Sequence, residues 1–161
     1  MKIYIIGPPG SGKTTLAKKL SEKYNIRYYE LDLLVFDDEN GHLRRSDKEI
    51  LSEFNKILSE DSWIIEDVGR SKFIKGIELS DKICYLKFSK IQIIKRIIKR
   101  WKNQRKGIEN YNYPPTYAQF FDFFKVVNSY FKKEPQKLKI LKEHSEKVIY
   151  LDSQKINSFK L

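Results

Sequence analysis

Apolar positions change period several times along the chain. Lys2–Ile6 is a short apolar run rich in Ile and Tyr, which predicts a buried strand. Over Lys13–Tyr24, Leu16, Ala17, Leu20 and Tyr24 recur at helical spacing. Ile26–Leu31 predicts a second strand ending at Asp32, and Leu33–Arg45, with Asp37, Asp38, Asn40 and Gly41, predicts a loop. Ser46 and Glu49 form a capping-box pattern, behind which Ile50, Leu51, Phe54, Ile57 and Leu58 make one helical face. Trp63–Ile65 predicts a third strand leading into Glu66 and Asp67, and Lys72–Leu79 a short helix. Lys82–Phe88 predicts a fourth strand containing Cys84. Ser89 and Gln92 repeat the capping pattern before a helix with Ile91, Ile94, Ile98 and Trp101 on one side. After the breaker-rich stretch Asn103–Pro115, Thr116 and Gln119 give a third capping pattern. They open a long aromatic helix with Phe120, Phe124, Val127 and Phe131 on one face, which Pro135 is expected to kink or divide. Lys147–Leu151 predicts a fifth strand and Ser153–Phe159 a short closing helix.

Strands alternating with helices imply an α/β fold, a parallel sheet covered by helices on both faces, with right-handed crossovers. At 161 residues the chain makes one domain, 1–161, with enough length to bury a core. Hydrophobic residues at 40% and charged residues at 33% exclude a disordered or collagen-like chain. No run of 18 apolar residues occurs, and the apolar start leads into glycines rather than a small-residue cleavage site. The single Cys84 has no internal disulfide partner, so a cytoplasmic location is expected. Lys and Arg number 32 against 21 Asp and Glu, a net charge of +11 that attracts anions such as phosphates, nucleotides and nucleic acids.

The most specific signal is Gly7-Pro8-Pro9-Gly10-Ser11-Gly12-Lys13-Thr14, a full G-x-x-x-x-G-K-[ST] match followed by Thr15. It follows a predicted strand and opens a predicted helix, the context its mechanism needs. Glycines let successive N–H groups face one anion, and the helix N-terminus adds partial positive charge. Lys13 brings a full charge to the β- and γ-phosphates, and Thr14 offers a hydroxyl to magnesium. No Asn-Lys-x-Asp guanine motif occurs. A chain this small reads most economically as a kinase for a small molecule, using ATP and Mg²⁺.

Gly-Pro-Pro-Gly-Ser-Gly-Lys-Thr-Thr resembles the adenylate kinase and shikimate kinase group of P-loop kinases. Tyr29-Glu30-Leu31-Asp32-Leu33, Trp63-Ile64-Ile65-Glu66 and Ile97-Ile98-Lys99-Arg100-Trp101 resemble a narrower branch, the adenylate kinase-related topology modulation proteins. The likeness covers roughly residues 1–155. It implies a three-layer P-loop fold with five parallel strands in the order 2-3-1-4-5, an acceptor-binding segment over 33–60 and a lid-like segment over 100–115. The chain departs from the adenylate kinase Asp-Gly-Phe-Pro-Arg stretch, reading Asp67-Val68-Gly69-Arg70 instead, and Asp32 is followed by Leu33 and Leu34 where shikimate kinases carry a second acid.

The other candidate residues follow from position. The resemblance has Asp32, at the carboxyl end of the second strand, contact the acceptor or orient its hydroxyl. Alternation leaves one of Glu66 and Asp67 facing the site, and Asp67 is the expected magnesium carboxylate. Arg70 either grips an acceptor phosphate or carboxylate with two hydrogen bonds or caps a helix at the surface. Seven basic residues fall between 95 and 106. The kinase reading makes Arg100 and Arg105 the lid arginines that stabilise transferring charge, with Arg96 next. Tyr111 and Tyr113 lie in the lid region. Three function classes follow: a phosphotransferase for a nucleoside monophosphate, nucleoside or similar metabolite; a nucleic-acid-associated ATPase or polynucleotide-end kinase; or a nucleotide-binding regulatory module with little turnover.

Overall fold

A computed structural model describes residues 1–37, 43–109, 116–153 and 155–159. Five parallel strands form the sheet: β1 (Lys2–Ile6), β2 (Tyr28–Glu30), β5 (Trp63–Asp67), β6 (Lys82–Leu86) and β7 (Val148–Leu151). Two further strands, β3 (Phe36–Asp37) and β4 (Leu43–Arg44), make a separate antiparallel hairpin. The sheet runs β2-β5-β1-β6-β7. The expected order 2-3-1-4-5 counted five strands in all, and the hairpin inserted after β2 shifts the numbers of those that follow. Register pairs Ile5 with both Glu66 and Cys84, so β1 is central.

The helices make two outer layers. On one face α3 (Asp47–Ser59), α4 (Ile74–Leu79) and Phe73 just before α4 bury Ile50, Phe54, Phe73 and Ile77 against Tyr4, Ile6, Trp63, Ile65 and Tyr85. On the other, α1 (Lys13–Tyr24) and α5 (Lys90–Arg105) bury Leu16, Ala17, Leu20, Ile93 and Ile97 against Ile3, Ile5, Ile64 and Cys84. Alternation of side chains along each strand assigns odd and even positions to the two layers. The long helix α6 (Tyr117–Glu143) joins both layers, through Val127 on one side and Leu141 on the other.

Local sequence decides most boundaries. Ser46 with Glu49 and Ser89 with Gln92 form complete capping boxes, which satisfy first-turn amides of α3 and α5. The Thr116–Gln119 pattern precedes α6, but the Gln119 side chain lies outside the described residues. Pro135 does not divide α6, which runs unbroken for 27 residues. A short helix α7 (Lys155–Ser158) closes the chain.

Two local expectations are corrected. The chain past Glu30 is not a loop from Leu33: Leu31–Val35 forms helix α2, because Leu31 and Val35, one turn apart, both bury into the core. Asp38, Asn40 and Gly41, read as turn residues, lie outside the described residues. On α5 the buried residues are Ile93 and Ile97, while Ile91 is 66% exposed. Apolar residues at 91, 93, 94, 97, 98 and 101 make two overlapping stripes, and packing on the sheet selects the other one. Among the described residues no helix is long and apolar enough to cross a membrane.

Candidate active site

The glycine-rich loop joins the carboxyl end of β1 to α1. Gly7 and Pro8 are buried, Pro9 is half-buried, and Gly10 and Thr15 are exposed. Gly12 adopts φ 99°, a left-handed conformation open to glycine at little cost, and this turn aims the first amides of α1 out of the loop. Unlike α3 and α5, α1 has no side-chain cap among the described residues, and unlike α3 it has no acid in its first turn. Its leading N–H groups and the positive end of its dipole therefore remain free for an external anion. The Ser11 amide donates to the Pro8 carbonyl at 3.2 Å, while the buried Ser11 hydroxyl has no partner among the described residues.

Lys13 is 7% exposed and curls over the loop, its Nζ donating to the Pro8 carbonyl at 3.2 Å. That ammonium lies 3.8 Å from Glu66 Oε2. The Thr14 hydroxyl donates to Glu66 Oε1 at 3.0 Å. Burial pushes the Glu66 carboxyl up from its ordinary range, against the opposing pull of Lys13 and of the Thr14 hydrogen bond. Glu66 Oε2 is buried with no hydrogen-bond partner among the described residues. A hydroxyl, an ammonium and a carboxylate oxygen awaiting a donor are the set that a hydrated magnesium ion and a triphosphate would use.

The structure puts Glu66, rather than Asp67, beside Thr14. Ile64 packs in the α1 layer and Ile65 in the opposite one, so alternation sends Glu66 toward α1 and Asp67 away. Asp67 is instead tied to its own turn. Its Oδ2 accepts from the amides of Gly69 at 2.8 Å and Arg70 at 2.6 Å, and its Oδ1 accepts from the Arg70 guanidinium. Gly69, at φ 80°, permits that turn. Arg70 also binds Asp32, which stands in the first turn of α2 and keeps a 55% exposed side chain. Burial opposes the Arg70 charge, but the Asp67 and Asp32 carboxylates outweigh it and hold the group firmly protonated. Arg70 thus bridges the ends of β5 and β2; it also stands at the N-cap of the 3-10 turn Ser71–Phe73, where its carbonyl accepts from Phe73 but its side chain makes no cap.

Among the arginines of α5, Arg96 reaches the loop. It donates to the Ser11 carbonyl at 3.0 Å and its guanidinium lies 4.3 Å from the centre of the Phe88 ring. Arg100 instead faces Glu109 at 3.4 Å, and Arg105 packs over Trp101 and Tyr117. Tyr111 and Tyr113, with the rest of 110–115, lie outside the described residues. Beyond these, a cleft of about 660 Å³ opens between α6 and the turn after β5, reaching the loop at Pro9. The α6 residues of this cleft, Lys133 and Lys137 among them, belong to no sequence motif and had no signal by which to find them.

The profile of the AAA domain family matches residues 3–112. The chain is 33% identical over 141 residues to a cytidylate kinase of Sulfolobus acidocaldarius, a match covering 69% of this chain and 76% of that one. Among solved structures, a gluconokinase from Sinorhizobium meliloti superposes with TM-score 0.57 at 15% identity, over 98% of this chain and 85% of the other. A shikimate kinase from Bacteroides thetaiotaomicron gives TM-score 0.58 at 14% identity, over 97% and 88%. At those identities the two structures are alike in fold.

Proposed function

The chain belongs to the AAA domain family, as a P-loop kinase-like member, and on that premise we propose that it transfers the γ-phosphoryl group of ATP to a small acceptor. The observation that carries this reading is the Lys13–Thr14–Glu66 constellation at an uncapped helix N-terminus. The loop from Gly7 to Thr15 binds the phosphates, and Lys13 leaves the Pro8 carbonyl to meet the β- and γ-oxygens. Thr14 and Glu66 hold magnesium, which neutralises charge on the phosphates; Glu66 takes the role first expected of Asp67. Arg96 braces the loop through Ser11, and its guanidinium stands beside Gly12 at the start of α1.

The acceptor lies against Asp32 and Arg70, with 33–60 as its binding segment and 100–115 as the lid. In the transfer step Lys13 and the loop amides stabilise charge on the moving group, and Asp32 orients the attacking oxygen. Closure of the lid, with Arg100 or Arg105 turned inward, excludes water. The cytidylate kinase relative favours a nucleoside monophosphate within the acceptor class. The narrower likeness to topology modulation proteins rests on three loose stretches and names no acceptor.

The test is ADP release from Mg·ATP with nucleoside monophosphates, nucleosides, sugar acids and short single-stranded DNA, at low and moderate salt. Strong stimulation by one small molecule supports the proposal. Stimulation by DNA alone, lost as salt rises, would replace it with a nucleic-acid ATPase.

A further inference from the structure

The cleft beside Pro9 has an unbalanced lining. Arg70, Lys72, Lys125, Lys133 and Lys137 contribute cations, and among the described residues no Asp or Glu lines it. Three of these are already paired: Arg70 with Asp67 and Asp32, Lys72 with Asp47 at 2.8 Å, Lys125 with Asp122 at 2.8 Å. Lys133 and Lys137 have no carboxylate within 4.0 Å among the described residues, although they stand one helical turn apart on one face of α6.

Their placement is fixed from below. Tyr130 is buried and Leu141 is in the core, and between them Glu134 accepts a hydrogen bond from Tyr85 of β6 at 2.7 Å. The Lys137 stem lies on Gly69, where an added Cβ would meet its Cδ at 3.1 Å. Its ammonium sits 3.7 Å from the centre of the Tyr130 ring. Lys137 feels the attraction of Asp67 and Glu134, neither within 4.0 Å, and the repulsion of Lys133 and Arg70, so an anion in the cleft would offset that repulsion.

We propose that the cleft between α6 and the turn after β5 is an oxyanion subsite, in which Lys133 and Lys137 hold the phosphate or carboxylate group of the phosphoryl acceptor. The inference rests on the kinase reading for the word acceptor, and deepens it by naming an anionic substrate class and the residues that select it. Arg70 and Pro9 line the same cleft as the two lysines, which sets the subsite against the phosphate loop. Burial, with the like charges of Lys133 and Arg70, lowers the Lys137 pKa to about 8 against the opposing pull of Asp67 and Glu134, so its ammonium would gain from an anion in the cleft.

Binding of inorganic phosphate and of acetate is measured by titration calorimetry on the full chain. The loop is disabled by Lys13→Met, so that what remains reports the cleft. Phosphate or acetate binding should survive in Lys13→Met and weaken at least tenfold when Lys133→Gln and Lys137→Gln are added, as expected for losing hydrogen bonds to a charged group. Lys137→Arg should restore part of it. The anion affected tells phosphate from carboxylate. In the chain with Lys13 intact, KM should rise for the anionic acceptor and stay unchanged for ATP. Unchanged anion affinity in the double glutamine variant, or none in Lys13→Met, overturns the subsite. If no acceptor is phosphorylated while anion binding still depends on the two lysines, the kinase reading fails and the anion site stands. If turnover is normal and indifferent to the lysines, the reverse holds.

Discussion

Glu66→Gln separates two roles that a buried carboxylate beside a lysine can have. At 3.8 Å and an effective dielectric near 20, the attraction to Lys13 is about 4 kcal/mol. Against it stands the cost of burying the carboxylate, several kcal/mol per ion. The raised Glu66 pKa says that burial wins, so the charge destabilises the fold that holds it. Glutamine keeps an oxygen to accept from Thr14 and removes the charge. The variant should therefore melt no lower than the wild type, as followed by circular dichroism. Were the pair a structural strut, its loss would cost about 3–5 kcal/mol, a fall of roughly 6–20 °C for a chain of this size. Magnesium should respond in the opposite sense. With the anionic partner of its bound water gone, the magnesium dependence of ATP binding should weaken about 10–100-fold. A large fall in melting temperature together with unchanged magnesium dependence would refute the reasoning.

Three further outcomes follow. Arg96→Ala should weaken Mg·ATP binding, because the Ser11 carbonyl loses a charged donor, whereas Arg100→Ala should leave it unchanged; equal effects in equilibrium binding would contradict the assignment. Ile93→Ala should cost about 2–5 kcal/mol in urea denaturation and Ile91→Ala under about 0.5, and the reverse ranking would mean that α5 presents its other stripe to the sheet. The groups that set the Lys137 charge are Asp67 on β5, Arg70 in the following turn, and Tyr130, Lys133 and Glu134 on α6. Its folded pKa of about 8 lies below the usual lysine value, so the ammonium is present below pH 8 and lost above it. Phosphate affinity in the Lys13→Met chain should fall as pH rises through 8, and a flat profile to pH 9 would contradict that.

The phosphate loop was legible because its chemistry is local. Eight consecutive residues set the turn, the charge and the helix start, and no distant contact is needed to recognise them. The apolar strand runs and the two capping boxes likewise declare themselves within a few residues. What the sequence hid depends on phase or on long-range packing. Trp63–Asp67 is apolar on both faces until its end, so nothing in it told whether Glu66 or Asp67 turned toward α1. Helix α2 forms because Leu31 and Val35 find a core that the loop residues after them do not advertise. Arg96 and the α6 lysines come to the site from 85 and more residues away, carried by elements whose spacing predicts a helix and not its target.

The central claim is phosphoryl transfer, and isotope transfer tests it most directly. The chain is incubated with Mg·ATP labelled in the γ-phosphoryl group and a nucleoside monophosphate, with Lys13→Met as control. The account predicts label in the acceptor in equal amount to the ADP formed, and none with Lys13→Met. Label released only as inorganic phosphate, whatever the acceptor, would contradict it.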